Sequence, residues 1–360
     1  MRRRTLLQSL SVGIAGSAGC LDAPGSRTQT TTAKPGPEVR VKTVAMNLEI
    51  PWGTAFGSDG DLYLTERPGR IRRIRPNENE IVADFTDSVA HEGEGGLLGL
   101  VLHPEDDDVA FTYQTYETDG ELRNRVVRHR VSEAFAPERV VLDGIPGSSI
   151  HDGGRLAVDG DALYATAGDA GDGSNAQDRD SLAGSVLRLT LDGDPHPDNP
   201  SGTPVFTYGH RNPQGLTFRD GTLFSTEHGP DHDDEINVLE AGSNYGWPEV
   251  MGVGGDGFVD PIATYTPTIA PASATFYDGP IEEWQGDFFF GTLAGSHLHR
   301  VRIDGQNVVE QERLLMGEYG RLRTVFTGPD DHLYVTTSNQ DGRGGTPAPQ
   351  DDRVLRLHPA

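Results

Sequence analysis

The chain runs to 360 residues and carries 30 Lys plus Arg against 55 Asp plus Glu, a formal net charge of −25. Such acidity excludes a phosphate-backbone partner, which needs the opposite sign, so no nucleic acid ligand is expected. With 46 Gly, 24 Pro and 35% hydrophobic residues, a helix bundle or coiled coil is disfavoured, and the length is ample for a buried core.

The N-terminal 20 residues read as a leader. Arg2-Arg3-Arg4 precedes an apolar stretch from Leu6 to Ala18, closed by Ser17-Ala18-Gly19-Cys20. The stretch is too short and too polar for a stable membrane span but fits the core of an export signal. Paired arginines point to the twin-arginine route, and small residues before a lone cysteine match a lipobox, with Cys20 as the lipidated residue. A single cysteine leaves no intrachain disulfide. Residues 21–38 are rich in Thr, Ser, Pro and Gly and read as a flexible tether. The expected location is therefore extracytoplasmic, with the membrane reached only through the lipid. Loss of the three leader arginines would take the net charge to −28. Lysine occurs only at Lys34 and Lys42, a balance expected of a protein working in strong salt, although arginine-favouring codon usage offers a plainer account.

Residues 39–360 carry one repeated phrase: an apolar run, an acidic or Gly turn, Leu-Tyr or a relative, then Thr or Ser. It occurs at 56–65, 156–166, 216–226 and 325–336, with weaker copies at 100–113 and 288–292. Each copy is two alternating strands around a Gly/Asp hairpin turn. A third strand of Arg-apolar alternation follows several copies, as in Arg70-Ile71-Arg72-Arg73-Ile74 and Val354-Leu355-Arg356-Leu357. The aromatic markers at 63, 111, 164, 224, 289 and 334 are spaced by 48, 53, 60, 65 and 45 residues. Six units of that size predict an all-β, six-bladed β-propeller of four-stranded antiparallel blades. Val39–Val44 would add a strand to the last blade and close the ring.

Propeller ligands bind in loops that enter the innermost strands, near the axis. His151, Arg211 and Arg321 each lie 13 residues before a marker aromatic, so three blades offer His, Arg and Arg from one equivalent position. Arginines converging on the axis of so acidic a chain imply a strongly anionic ligand. Taken singly, each could be an ion pair with one of the many carboxylates. The stretch from Glu227 to Asn237 is dense in oxygen donors and turns, which suits Ca²⁺; His228 and His232 give zinc only weak support, and a salt-adapted acidic loop is the bland alternative.

Several phrases together resemble the soluble quinoprotein sugar dehydrogenases, aldose or glucose dehydrogenases that use pyrroloquinoline quinone (PQQ). They include Gly95–Leu100 with His103-Pro104, His151–Leu156, Gly168-Asp169, Gly209–Leu216, Glu227–Pro230, Asp234–Asn237, Asn244–Pro248 and Gly320–Arg323, in the family's order across residues 39–358. The resemblance implies oxidation of the anomeric hydroxyl of an aldose to a lactone, with PQQ and Ca²⁺ as cofactors and an external electron acceptor. It implies His151 as general base, oriented by Asp169. Arg211 and Asn212 would contact the quinone side, while Arg321 and Arg323 would hold carboxylates. Gly229 and Pro230 would offer backbone carbonyls to the calcium that also binds PQQ, and Glu235 and Tyr245 match a further, structural calcium site.

The chain departs from the family pattern at three places. Glu94 stands where many relatives have a Gln that contacts PQQ. Leu293-Ala294-Gly295 stands where many carry a cofactor-contacting Lys. The segment 251–267 is shortened and lacks a clear counterpart of a Tyr often found there. Two other classes remain open at this stage: a calcium propeller that hydrolyses lactones or esters, and a non-catalytic propeller that binds a protein or glycan.

Overall fold

The computed structural model describes residues 37–360, so the leader, Cys20 and most of the tether lie outside the described residues. The expected architecture is found: six antiparallel sheets of four strands each, arranged as a propeller. Strand β1 (Val39–Ala45) comes first in the chain but belongs to the last blade. The first blade holds β2 (Pro51–Phe56), β3 (Leu62–Glu66), β4 (Arg70–Arg75) and β5 (Glu78–Asp84). The second holds β6 (Leu97–Leu102), β7 (Val109–Thr118), β8 (Glu121–Arg130) and β9 (Ala136–Pro146). The third is built from β10 (Leu156–Asp159), β11 (Ala162–Ala167), β12 (Ser185–Thr190) and β13 (Val205–Tyr208). In the fourth are β14 (Pro213–Arg219), β15 (Thr222–Glu227), β16 (Asp234–Leu239) and β17 (Ala263–Tyr265). The fifth contains β18 (Pro271–Phe276), β19 (Phe288–Thr292), β20 (Leu298–Asp304) and β21 (Asn307–Leu314). β22 (Leu322–Thr327), β23 (Leu333–Thr337) and β24 (Val354–Pro359) make the sixth, whose outer edge β1 completes through a ladder from Val39↔Pro359 to Ala45↔Val354.

All six marker aromatics fall on second strands, and the Arg-apolar alternations fall on third strands. Several blades share one hairpin chemistry: at the β2–β3 turn Gly60 N–H bonds the carbonyl of Gly57, and Gly60 takes φ +83°, which glycine tolerates without cost. There is no single core. Apolar side chains fill the spaces between blades, as where Phe111, Tyr113 and Val126 of the second blade meet Leu163, Ala165 and Leu187 of the third. Trp284, Tyr277 and Phe289 of the fifth pack likewise against Leu322, Val335 and Leu355 of the sixth. Each such fully buried large side chain contributes roughly 1.5–3 kcal/mol.

The innermost strands β2, β6, β10, β14, β18 and β22 ring the axis. Five of them, all but β10, carry a register shift near their inner ends, between Pro51 and Thr54 in β2, Pro213 and Gly215 in β14, and Leu322 and Val325 in β22, for example. An unpaired residue at such a shift re-aims its side chain, here toward the hub. Gly99 shows how closely these strands approach: a Cβ there would collide with the carbonyl of Gly154.

Candidate active site

The register shifts place Trp52, Gln214 and Arg323 at the centre of the hub. The Arg155 guanidinium stacks on the Trp52 ring at 4.0 Å and Arg323 lies 5.8 Å from the same ring. Arg155 Nε donates to the Gln214 carbonyl at 3.0 Å, and Arg323 Nη1 donates to Gln214 Oε1 at 3.0 Å. Both guanidiniums are buried, and burial together with other nearby cations pushes each down to about 9. Arg321, at the mouth of β22, donates to Asp341 Oδ2 from Nε at 3.0 Å and Nη2 at 2.8 Å, and to the Leu293 carbonyl at 3.2 Å.

His151 occupies the loop before β10. Its backbone takes φ +62°, a conformation rare for a side-chain-bearing residue, and Gly153 and Gly154 follow at φ +66° and +97°. Its ring Nδ1 lies 2.7 Å from Asp169 Oδ1. Asp169 also accepts from Gly171 N at 2.7 Å and from the Trp247 indole N–H at 2.8 Å, so a carboxylate with three donors orients the imidazole. Because Nδ1 must carry the proton it donates, Nε2 is the basic nitrogen.

Glu94 joins this corner to the rest of the hub. Its Oε2 accepts from His151 N at 3.1 Å and from Asn212 Nδ2 at 3.0 Å, while Oε1 pairs with Arg343 Nη1 at 2.6 Å. Burial opposes ionisation, but the Arg343 bond and the surrounding donors override it and hold the carboxyl down at about 2. Glu94 is thus an ionised, paired carboxylate.

Arg211 reaches the carbonyls of Gly229 at 2.8 Å and His228 at 3.2 Å, and lies over the Trp247 ring at 5.3 Å. Its backbone is fixed by Glu227, which also accepts from Asn212 N at 3.3 Å and from His210 Nδ1 at 2.8 Å. Beside Arg211 opens a small cleft of about 20 Å³, lined by Glu227, His228, Gly229, Pro230, Glu235 and Trp247, among others.

The stretch from Glu227 to Asn237, expected as one loop, is in fact partly strand, since Glu227 ends β15 and Asp234–Asn237 begin β16. Asp234 turns inward, accepting from Gly229 N, Thr268 Oγ1, Ile269 N and Ala270 N, and so pins the Gly229-Pro230 backbone. Among the described residues no group of three or more His, Cys, Asp or Glu side chains gathers closely enough to hold a metal ion. Calcium binding would therefore depend on backbone carbonyls, those of Gly229 and Pro230 first. Glu235 lines the same cleft, and burial, with Glu227 nearby, pushes its carboxyl up, which a cation there would relieve. The Tyr245 hydroxyl, by contrast, is committed: it donates to the Val238 carbonyl at 2.7 Å and accepts from Glu240 N at 2.9 Å.

Whether the hub suits an anionic cofactor can be judged from its unsatisfied atoms. Among the buried side-chain atoms without a hydrogen-bond partner are Arg67 Nε, Arg155 Nη2 and Arg211 Nε. Asp152 Oδ2 is an unpartnered acceptor in the same region, but the three guanidinium nitrogens are costly without acceptors of their own, and carboxylates and carbonyl oxygens are the groups that answer them. The residues present therefore fit a polycarboxylate.

Arg67, Asp341, Arg343, Trp247 and the Trp52 platform were not legible as site residues. Trp247 lay within the recognised phrase Asn244–Pro248, which was the one available signal. Arg343 comes from the Gly-rich loop between β23 and β24, outside the repeated phrase.

An oriented imidazole beside several guanidiniums on a propeller axis is the arrangement that the resemblance to the sugar dehydrogenases leads one to expect. The family model described as Glucose / Sorbosone dehydrogenase matches residues 48–346, and the chain belongs to that family. It is 32% identical over 339 residues to aldose sugar dehydrogenase YliI of Escherichia coli, covering 84% of this chain and 91% of that protein. With quinoprotein glucose dehydrogenase B of Acinetobacter calcoaceticus it shares 28% identity over 404 residues, covering 82% and 84% of the two. The structure of the PQQ-bound aldose sugar dehydrogenase of Streptomyces coelicolor is similar at a TM-score of 0.81 with 40% identity, covering 90% of this chain and 99% of that one.

Proposed function

We propose that the chain oxidises the anomeric C1 hydroxyl of aldose sugars to lactones, with calcium-bound PQQ as cofactor. The observation that carries this reading is the His151–Asp169 pair, 2.7 Å apart, in a hub where Arg67 Nε, Arg155 Nη2 and Arg211 Nε lack acceptors. When bound, PQQ supplies the two-electron acceptor for the hydride that leaves C1, and calcium polarises it for that role.

The protein's own residues do the rest. His151 Nε2 takes the proton of the C1 hydroxyl, a contribution worth about 10²–10⁴-fold. Asp169 fixes the tautomer and stabilises the imidazolium that forms. Arg321 and Arg323 hold carboxylates of the cofactor, Arg211 and Asn212 address its quinone side, and Glu94 keeps Asn212 and the His151 backbone in place. The carbonyls of Gly229 and Pro230 receive calcium, and Glu235, with the backbone near Tyr245, offers a second, structural calcium site. Turnover then requires an external electron acceptor. Hydrolysis of lactones or esters at an axial metal would call for converging carboxylates, whereas among the described residues no three such side chains gather closely enough to hold a metal ion.

The test is spectroscopic. Mature protein in high salt, loaded with PQQ and Ca²⁺, should bind the quinone saturably, and adding an aldose should change the absorption to that of the reduced form. Lactone hydrolysis without PQQ would replace this reading with the hydrolase, and neither activity would leave a binding propeller.

For the N-terminus we infer export by the twin-arginine route and anchoring through lipidated Cys20, with residues 21–38 as the tether. Replacing Cys20 with Ser should release the protein from membranes into the soluble fraction, and continued membrane retention would remove the anchor.

A further inference from the structure

Glu94 poses an electrostatic problem that the structure answers with a residue from another blade. A carboxylate beside a site for a tricarboxylate repels it, and this one cannot turn away. Oε2 is held by His151 N and Asn212 Nδ2, and the Glu94 N–H is itself bonded to the Ser149 carbonyl at 3.0 Å. Its other oxygen meets Arg343, 249 residues later in sequence, carried by the loop between β23 and β24.

That loop lies at the rim of the hub, and Arg343 is 44% exposed. Arg343 N donates to Asp341 Oδ1 at 3.0 Å, the carboxyl that also binds Arg321, and a Cβ on Gly344 would press on the Arg321 side chain. Arg67, buried nearby, feels Asp341, Arg343, Glu94 and Asp152 together, so these groups form one charge cluster. Glu94 is the only side chain the Arg343 guanidinium bonds among the described residues.

We propose that Arg343 is the counter-ion that makes Glu94 compatible with an anionic cofactor, so that the two act as one unit in cofactor binding. The proposal rests on the PQQ reading above. Arg343 is a positioning residue here, cancelling the charge of a side chain whose other oxygen accepts from His151 N and Asn212 Nδ2.

A double-mutant cycle tests it, with fluorescence titration of PQQ into the calcium-loaded apoprotein at fixed salt. R343Q leaves Glu94 an uncompensated anion and should weaken PQQ binding at least about tenfold. E94Q should bind as tightly as wild type or more tightly, and E94Q/R343Q should return to within about threefold of wild type. Failure of the double variant to recover would overturn the proposal, as would wild-type affinity in R343Q. If R343Q does not fold, as judged by circular dichroism, E94Q alone decides: binding weakened tenfold means the pair is structural. Wild-type protein that takes up no PQQ would remove the functional reading and this proposal together, whereas saturable wild-type binding without rescue removes the pairing alone.

Discussion

The His151 imidazole is useful because of what surrounds it. Asp169 takes three donors, and only one of them is His151, so the carboxylate is already immobile when the ring binds. Asp169→Asn would present an amide donor toward Nδ1 and favour the wrong tautomer. Turnover of the PQQ-loaded enzyme should fall by about 10²–10⁴-fold with PQQ affinity unchanged. A titration that weakens in parallel would show that Asp169 shapes the cofactor site instead. Arg321→Ala removes a charged donor and should cost about 1.5–3 kcal/mol of PQQ affinity, read from the same titration. Glu94 adds a pH signature. Its carboxyl is held far below the ordinary range, so its stabilising effect is present above about pH 4.5 and is lost as pH falls toward 2. The melting temperature of wild type should therefore exceed that of Glu94→Gln at pH 6, and the gap should close on acidification.

At the level of elements, the blades were legible because each second strand repeats a buried aromatic at one position. Tyr63, Phe111 and Tyr164 mark three consecutive blades without any long-range information. His151, Arg211 and Arg321 were legible for the same reason, since each precedes an innermost strand at a fixed distance from that aromatic. What stayed hidden depends on register shifts and on loops that cross the hub. Nothing in Pro51-Trp52-Gly53 announces that a shift in β2 will lay the indole under two arginines. Nor can spacing reveal that Arg343 will meet Glu94, because the two lie 249 residues apart and Arg343 falls outside the repeated phrase. The expected closing strand is a firmer success, since β1 pairs with β24 from Val39 to Ala45, with only Val44 left out at a register shift. Deleting residues 37–45 would expose the outer edge of β24, an unpaired row of backbone groups prone to association. Such a variant should melt lower and aggregate in light scattering, and unaltered behaviour of the two would show that three strands suffice for the last blade.

On the scale of the whole molecule, the chain carries a net charge of −25, while several of its arginines are gathered in the hub among paired carboxylates. A surface so acidic repels itself. Salt acts differently on exposed and buried charges. Exposed repulsion is screened once the Debye length falls to about 3 Å at 1 M, whereas buried pairs such as Arg300 with Asp287 are shielded from the solvent. The melting temperature should therefore rise between 0.1 and 2 M KCl, and a flat or falling curve would refute a salt-adapted surface. The closure by β1 also sets an order of events. Arg155, Arg323 and Trp52 come from the third, sixth and first blades, so no complete binding chamber exists until β24 has left the ribosome and met the waiting N-terminal strand. Cofactor capture must consequently follow translation, and the mutual repulsion of the gathered guanidiniums is postponed to the final step of assembly.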